Sequence, residues 1–135
     1  DRSIMANTTI DNIKGLAWIY GYGENAVSYM SQYTGYAYFH NTYIEVLATG
    51  GILKCILYGI FCVQSISNAW KIFTRYSREV GGLFCSAWFA YFIYSFGESV
   101  VVLNGDTQGF IMTMFLVTLP QLYLNYYVME EGARI

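Results

Sequence analysis

The chain has 135 residues, 56% hydrophobic, 19% aromatic and only 12% charged, about half the charge of an ordinary soluble domain. Much of its surface therefore does not meet water, and a net charge of −2 without a basic stripe excludes a nucleic-acid partner. One proline and fourteen tyrosines argue against a disordered chain.

Residues 1–42 are mixed and polar. Ile4, Ile10, Ile13, Leu16 and Ala17 predict a short amphipathic helix over residues 4–18. Gly21-Tyr22-Gly23 follows as a tight-turn signal. Tyr29, Tyr33, Tyr36 and Tyr38 then fit either an aromatic belt at a membrane interface or a surface that stacks on sugar rings.

From Tyr43 the character changes. Residues 52–68 are almost continuously apolar, and a run of about 20 such residues crosses a hydrocarbon core roughly 30 Å thick. Lys54 lies near the outer end of this run, where a lysine snorkels to the interface. A charged loop (71–79), a second apolar run, a polar glycine-containing loop (97–108) and a third apolar run follow, the last with a kink expected at Pro120. Gly82, Ser86 and Ala90 recur every four residues, a small-residue seam suited to close helix packing. Cys55, Cys62 and Cys85 sit in apolar runs without a CxxC spacing and are expected to pack, not to bind metal.

The fold class expected is all-α. It is an integral membrane bundle with an extracytoplasmic loop over 1–42, a membrane part over 43–135, and spans near 52–70, 80–96 and 110–128. Lys71, Arg75 and Arg78 place their loop in the cytoplasm, with the tail carrying Arg134 on the same side. Residues 1–42 and 97–109 then face outside. With no leader peptide to export residues 1–42, further spans are expected upstream, in a larger multi-span protein.

The stretch richest in chemistry is His40-Asn41-Thr42-Tyr43-Ile44-Glu45-Val46-Leu47-Ala48-Thr49-Gly50-Gly51-Ile52-Leu53, which holds the single histidine. Thr42 and Glu45 fit a capping box, so a helix is expected to start near Thr42. That start places His40 beside outward-pointing backbone N–H groups, which attract anions. A titratable imidazole there suits phosphate or diphosphate chemistry. The plainer alternatives are an interfacial histidine and a Glu45 that only caps. Glu98 and Asp106 are expected to be solvated loop acids, with an approach to His40 as the alternative.

The pattern His-Asn-x-aromatic-aliphatic-Glu-x-Leu-Ala-x-x-Gly, preceded by Gly21-x-Gly23 and running into an apolar helix, resembles the signature of the O-antigen ligase and polymerase family. Arg2 stands where that family carries an upstream arginine, though without its Ser-Gly-Arg context, and Thr49 replaces an acidic residue of the family pattern. The resemblance implies an inverting, metal-independent glycosyltransferase without cofactor, outside the bacterial cytoplasmic membrane. Its partners would be undecaprenyl-diphosphate-linked oligosaccharide, the lipid bilayer and other polysaccharide-assembly proteins. His40 would be the catalytic group, with Arg2, Gly21, Gly23, Asn41 and Glu45 binding substrate. Polymerase and ligase are not separated. The competing class is a membrane transporter or a non-catalytic assembly subunit. Such a protein would carry ionisable residues along its spans, where this chain has only Lys54.

Overall fold

A computed structural model describes residues 2–98, 100–101 and 107–132, with backbone alone for Arg2, Thr107 and residues 130–132. Among the described residues every element is helical and there is no strand. In order these are α1 (Arg2–Asn12), α2 (Ala17–Tyr20), α3 (Ala26–Thr34), α4 (Thr42–Lys71), α5 (Arg78–Ser95), α6 (Thr107–Thr113) and α7 (Leu119–Gly132). Two π-helical stretches, Ile72–Tyr76 and Met114–Thr118, join α4 to its turn and α6 to α7. The chain forms two compact units, Asp1–Ile60 with Ile93–Val101, and Phe61–Phe92 with Val102–Ile135.

In the first unit, the helix expected over 4–18 is two pieces. Gly15 takes φ +55 between them, a conformation favourable only to residues without a Cβ. The Tyr22 hydroxyl closes the break by donating to the Asn12 carbonyl at 3.1 Å and accepting the Lys14 N–H at 3.2 Å. Ala26 and Met30, four apart on α3, bury one helix face with Ile13, Phe39 and Ala48.

The Gly21 turn rests directly on α4. A Cβ on Gly21 would overlap the backbone of Thr49 and Gly50, and one on Gly51 would overlap Ile19 and Tyr20. Only glycine permits two backbones to meet so closely. Gly51 also takes φ 63 and ψ −164, which breaks α4 internally. The Tyr22 N–H donates to the Ala48 carbonyl at 2.8 Å and so replaces helical pairing lost at the break.

In the second unit, the charged stretch 71–79 is not an open loop. It is helical up to Tyr76, and Ser77 alone is extended before α5 begins. Ser77 acts as N-cap, its Oγ accepting the Val80 N–H at 3.3 Å. The buried stripe of α5 here is Gly81, Phe84, Trp88 and Tyr91, at helical spacing. The expected Gly82, Ser86, Ala90 seam is not that stripe: Ser86 and Ala90 are exposed. The aromatic side has far more apolar area to bury, and it turns inward.

The third apolar run is helical throughout, with a π-helical turn at Met114–Thr118. Pro120 has no N–H to give the carbonyl four residues before it, that of Leu116. The strain expected as a kink takes the form of the π-helical stretch ending at Thr118. The Trp88 indole N–H donates to the Leu116 carbonyl at 3.2 Å, a buried bond. Near the same helix a row of amides runs from Asn68 Nδ2 to Gln121 Oε1 (2.7 Å) and from Gln121 Nε2 to Asn125 Oδ1 (2.9 Å). It borders a groove of about 320 Å³ that Gln64 and Ser65 also line.

Among the described residues one helix, Thr42–Tyr76 with its π-helical end, is long and apolar enough to cross a membrane. Its outward residues include Ile52, Leu53, Ile56, Leu57 and Ile60. The other two apolar runs are helical as well. α5 begins with Arg78 and Glu79 and carries six aromatic residues, and the third run passes from α6 through its π-helical stretch into α7.

Replacing Trp88 by Phe keeps the aromatic packing but leaves the Leu116 carbonyl without its donor. The expected loss is about 1–3 kcal/mol, read by thermal unfolding in detergent. In a Pro120→Ala background, where a backbone N–H returns, the same substitution should cost much less.

Candidate functional site

The site is built on the start of α4. Asn41 Oδ1 accepts the Tyr43 N–H at 3.0 Å and the Ile44 N–H at 3.1 Å, and the Asn41 carbonyl accepts the Glu45 N–H at 3.0 Å. Asn41 is therefore the N-cap. The helix starts at Thr42 as expected, but the Thr42–Glu45 capping box does not form, because Thr42 already lies inside the helix. The backbone donors expected to attract an anion are also partly committed: two of them serve the Asn41 side chain.

Freed from capping, the Thr42 hydroxyl holds a distant segment. It is fully buried. It accepts the Val100 N–H at 2.9 Å and lies 3.0 Å from the Glu98 carbonyl and 3.2 Å from that of Val100. Asn41 Nδ2 adds a bond to the Phe96 carbonyl at 3.2 Å, and the Tyr43 and Phe96 rings meet at 4.9 Å. Side chains at the head of α4 thus hold Phe96, Glu98 and Val100, and Val100 and Val101 are buried.

His40 immediately precedes this cap. Its φ of +48 lies in the left-handed region that residues with a Cβ rarely occupy. Its Nδ1 is 3.6 Å from Glu98 Oε2, and the two side chains are 39% and 41% exposed. The Tyr38 ring stands edge-on to the imidazole at 6.2 Å.

The other expected site residues take varied places. Glu45 lies one turn into α4, and its carbonyl accepts the Thr49 hydroxyl at 2.7 Å. Thr49 Oγ1 in turn accepts a bond from Lys54 Nζ at 2.8 Å, so the lysine reaches back toward the head of the helix. Gly21 is pressed against Thr49 and Gly50, and Gly23 takes φ +60 in the same turn. The Arg2 side chain and Asp106 lie outside the described residues.

The tyrosines divide. Tyr22 stacks on Tyr29 at 4.3 Å, and the Tyr33 hydroxyl donates to that of Tyr29 at 3.3 Å. Hydrogen bonding to Tyr33, and then to Tyr22, raises the Tyr29 phenol above its ordinary range. Tyr36 and Tyr38 are exposed, and Tyr38 alone of the set meets His40.

Glu98, expected as a solvated loop acid with an approach to His40 as the alternative, stands beside His40. Thr42 and Glu98 are 56 positions apart, and no spacing rule links them. The available signal was only that an acid sits in a loop assigned to the same side of a membrane as His40.

Thr42→Val keeps the buried shape and removes the acceptor for the Val100 N–H. Losing that bond costs about 1–3 kcal/mol. Hydrogen exchange at the Val100 amide should quicken at least about fivefold, while amides of α1 keep their rates. No family model, curated protein or solved structure matches this chain.

Proposed function

We propose that this chain is part of a bacterial membrane glycosyltransferase of the O-antigen ligase and polymerase kind. It joins undecaprenyl-diphosphate-linked oligosaccharide to an acceptor, in O-antigen, capsule or exopolysaccharide synthesis. On this reading three spans cross the cytoplasmic membrane and His40 stands on the extracytoplasmic side. The observation that carries it is a half-exposed imidazole, paired with Glu98, at the head of a helix apolar enough to cross a membrane. The motif around it and the charge of residues 71–78 support the same orientation.

The chemistry asked of the site is modest. Diphosphate is already a good leaving group, so the site must orient two sugars, accept a proton and stabilise charge. An acceptor hydroxyl attacks the anomeric carbon from the side opposite the diphosphate. The new C–O bond forms as the old one breaks, which inverts the centre. His40 serves either as base toward that hydroxyl or as hydrogen-bond donor to the diphosphate. Arg2 is assigned to the leaving diphosphate, where a guanidinium fork fits well. The exposed Tyr38 offers a face to a sugar ring.

The second reading, a transporter or assembly subunit, draws on the amide row of Asn68, Gln121 and Asn125 within two apolar runs. These groups do not ionise, so they make no relay for protons or ions by themselves.

His40→Ala in the full-length gene, in its own host, tests the proposal. Removing a general base lowers transfer by about 10²–10⁴-fold. Protein reaching the membrane at normal level, with single repeat units in place of long surface polysaccharide, is the expected polymerase result. Chains of wild-type length would sink the assignment.

A further inference from the structure

We infer that Glu98 is the positioning residue of His40: its carboxylate holds the Nδ1 proton, and Nε2 is the nitrogen that meets the acceptor hydroxyl. This deepens the proposed function and rests on it, since it chooses between base and hydrogen-bond donor for the imidazole.

Three observations converge on the pairing. The first is distance. Nδ1 and Oε2 are 3.6 Å apart, too long for a hydrogen bond but within reach of one after a small carboxylate rotation. Catalytic hydrogen bonds are commonly long without substrate and tighten with it. The second is that Glu98 cannot wander. Its own carbonyl and both backbone groups of Val100 lie on the buried Thr42 hydroxyl, and Phe96 is bound by Asn41. The backbone carrying the carboxylate is therefore fixed by the two residues that follow His40. The third is strain. His40 is the one described non-glycine residue with positive φ, a conformation that persists only where surrounding bonds over-determine it.

The tautomer follows from the hydrogen bond at the other nitrogen. A carboxylate accepts only, so it selects the imidazole with the proton on Nδ1. Nε2 then carries the lone pair. In the reaction the acceptor O–H proton moves to Nε2, and the oxygen bonds to the anomeric carbon. The C–O bond to the diphosphate breaks, its electron pair leaving on the diphosphate oxygen. The resulting imidazolium keeps its Nδ1–H against Glu98 and later releases the Nε2 proton to solvent. Among the charged and titratable groups placed against the ring, Glu98 comes from the 96–101 segment and Tyr38 from the segment before α4.

The test uses the full protein with ¹⁵N-labelled histidine, His40 being assigned by its loss in His40→Ala. The wild type should show the Nδ1–H tautomer when neutral. Glu98→Ala removes the acceptor and should shift the ring toward Nε2–H. Glu98→Gln retains an acceptor oxygen and should keep Nδ1–H. Neither change disturbs the clasp, which uses the Glu98 backbone. Polysaccharide transfer should fall at least about tenfold in Glu98→Ala, the lower end of what losing the outer partner costs a metal-bound histidine. Glu98→Gln should restore much of it. Identical tautomers in wild type and Glu98→Ala would overturn the pairing whatever the enzyme does. A normal tautomer shift with polysaccharide intact in His40→Ala would overturn the base role instead.

Discussion

A backbone polar group taken from water must find a partner, and this chain meets that constraint at each place where a helix is interrupted. Gly51 breaks α4, and Tyr22 supplies an N–H to the Ala48 carbonyl. Pro120 withholds an N–H from Leu116, and the Trp88 indole provides one. The segment after α5 has no helical ladder of its own, and Val100 finds the Thr42 hydroxyl. These substitutions give partners to backbone groups that the helices leave unpaired. They also explain why the irregular points are the informative ones. Each interruption ties two parts of its unit together.

The sequence showed the regular parts well. Apolar continuity marked the long helix through residue 70, and the helix began at Thr42 as the change of character implied. The glycines at 21 and 23 marked a real turn, with both residues at positive φ. What it did not show lies in long-range pairing. Thr42 and Glu45 have the spacing of a capping box, yet the neighbouring Asn41 caps better because its short side chain reaches both the second and third N–H. Periodicity alone cannot tell which of two adjacent polar residues takes that place. The same limit applies to Gly82, Ser86 and Ala90: small residues at a four-residue spacing permit close packing, but the aromatic stripe beside them had more area to bury.

The candidate site was half legible. Its only histidine, its place before a helix and its neighbour Asn41 all follow from residues 40–53. Its carboxylate was legible only as the alternative to a solvated loop acid, because Glu98 reaches His40 through a clasp that no local rule predicts. Polar residues at a helix head had two uses open to them, capping and cross-bridging. Asn41 does both, one oxygen for its own helix and one amide nitrogen for Phe96. That economy leaves Thr42 available for the far segment.

The break at Gly51 has a consequence for where the chemistry would stand. It divides α4 into a short head, residues 42–50, and a long apolar shaft. Lys54, just past the break, folds back to Thr49 on the head side, which carries its charge away from the shaft. Nine helical residues rise about 13 Å. If the shaft occupies the bilayer, a head of that length is about twice the thickness of the polar layer on one side of a membrane, which is roughly 5–8 Å. On the proposed function, His40 at the tip of the head would then be able to reach past a lipid carrier's diphosphate to the sugars beyond it.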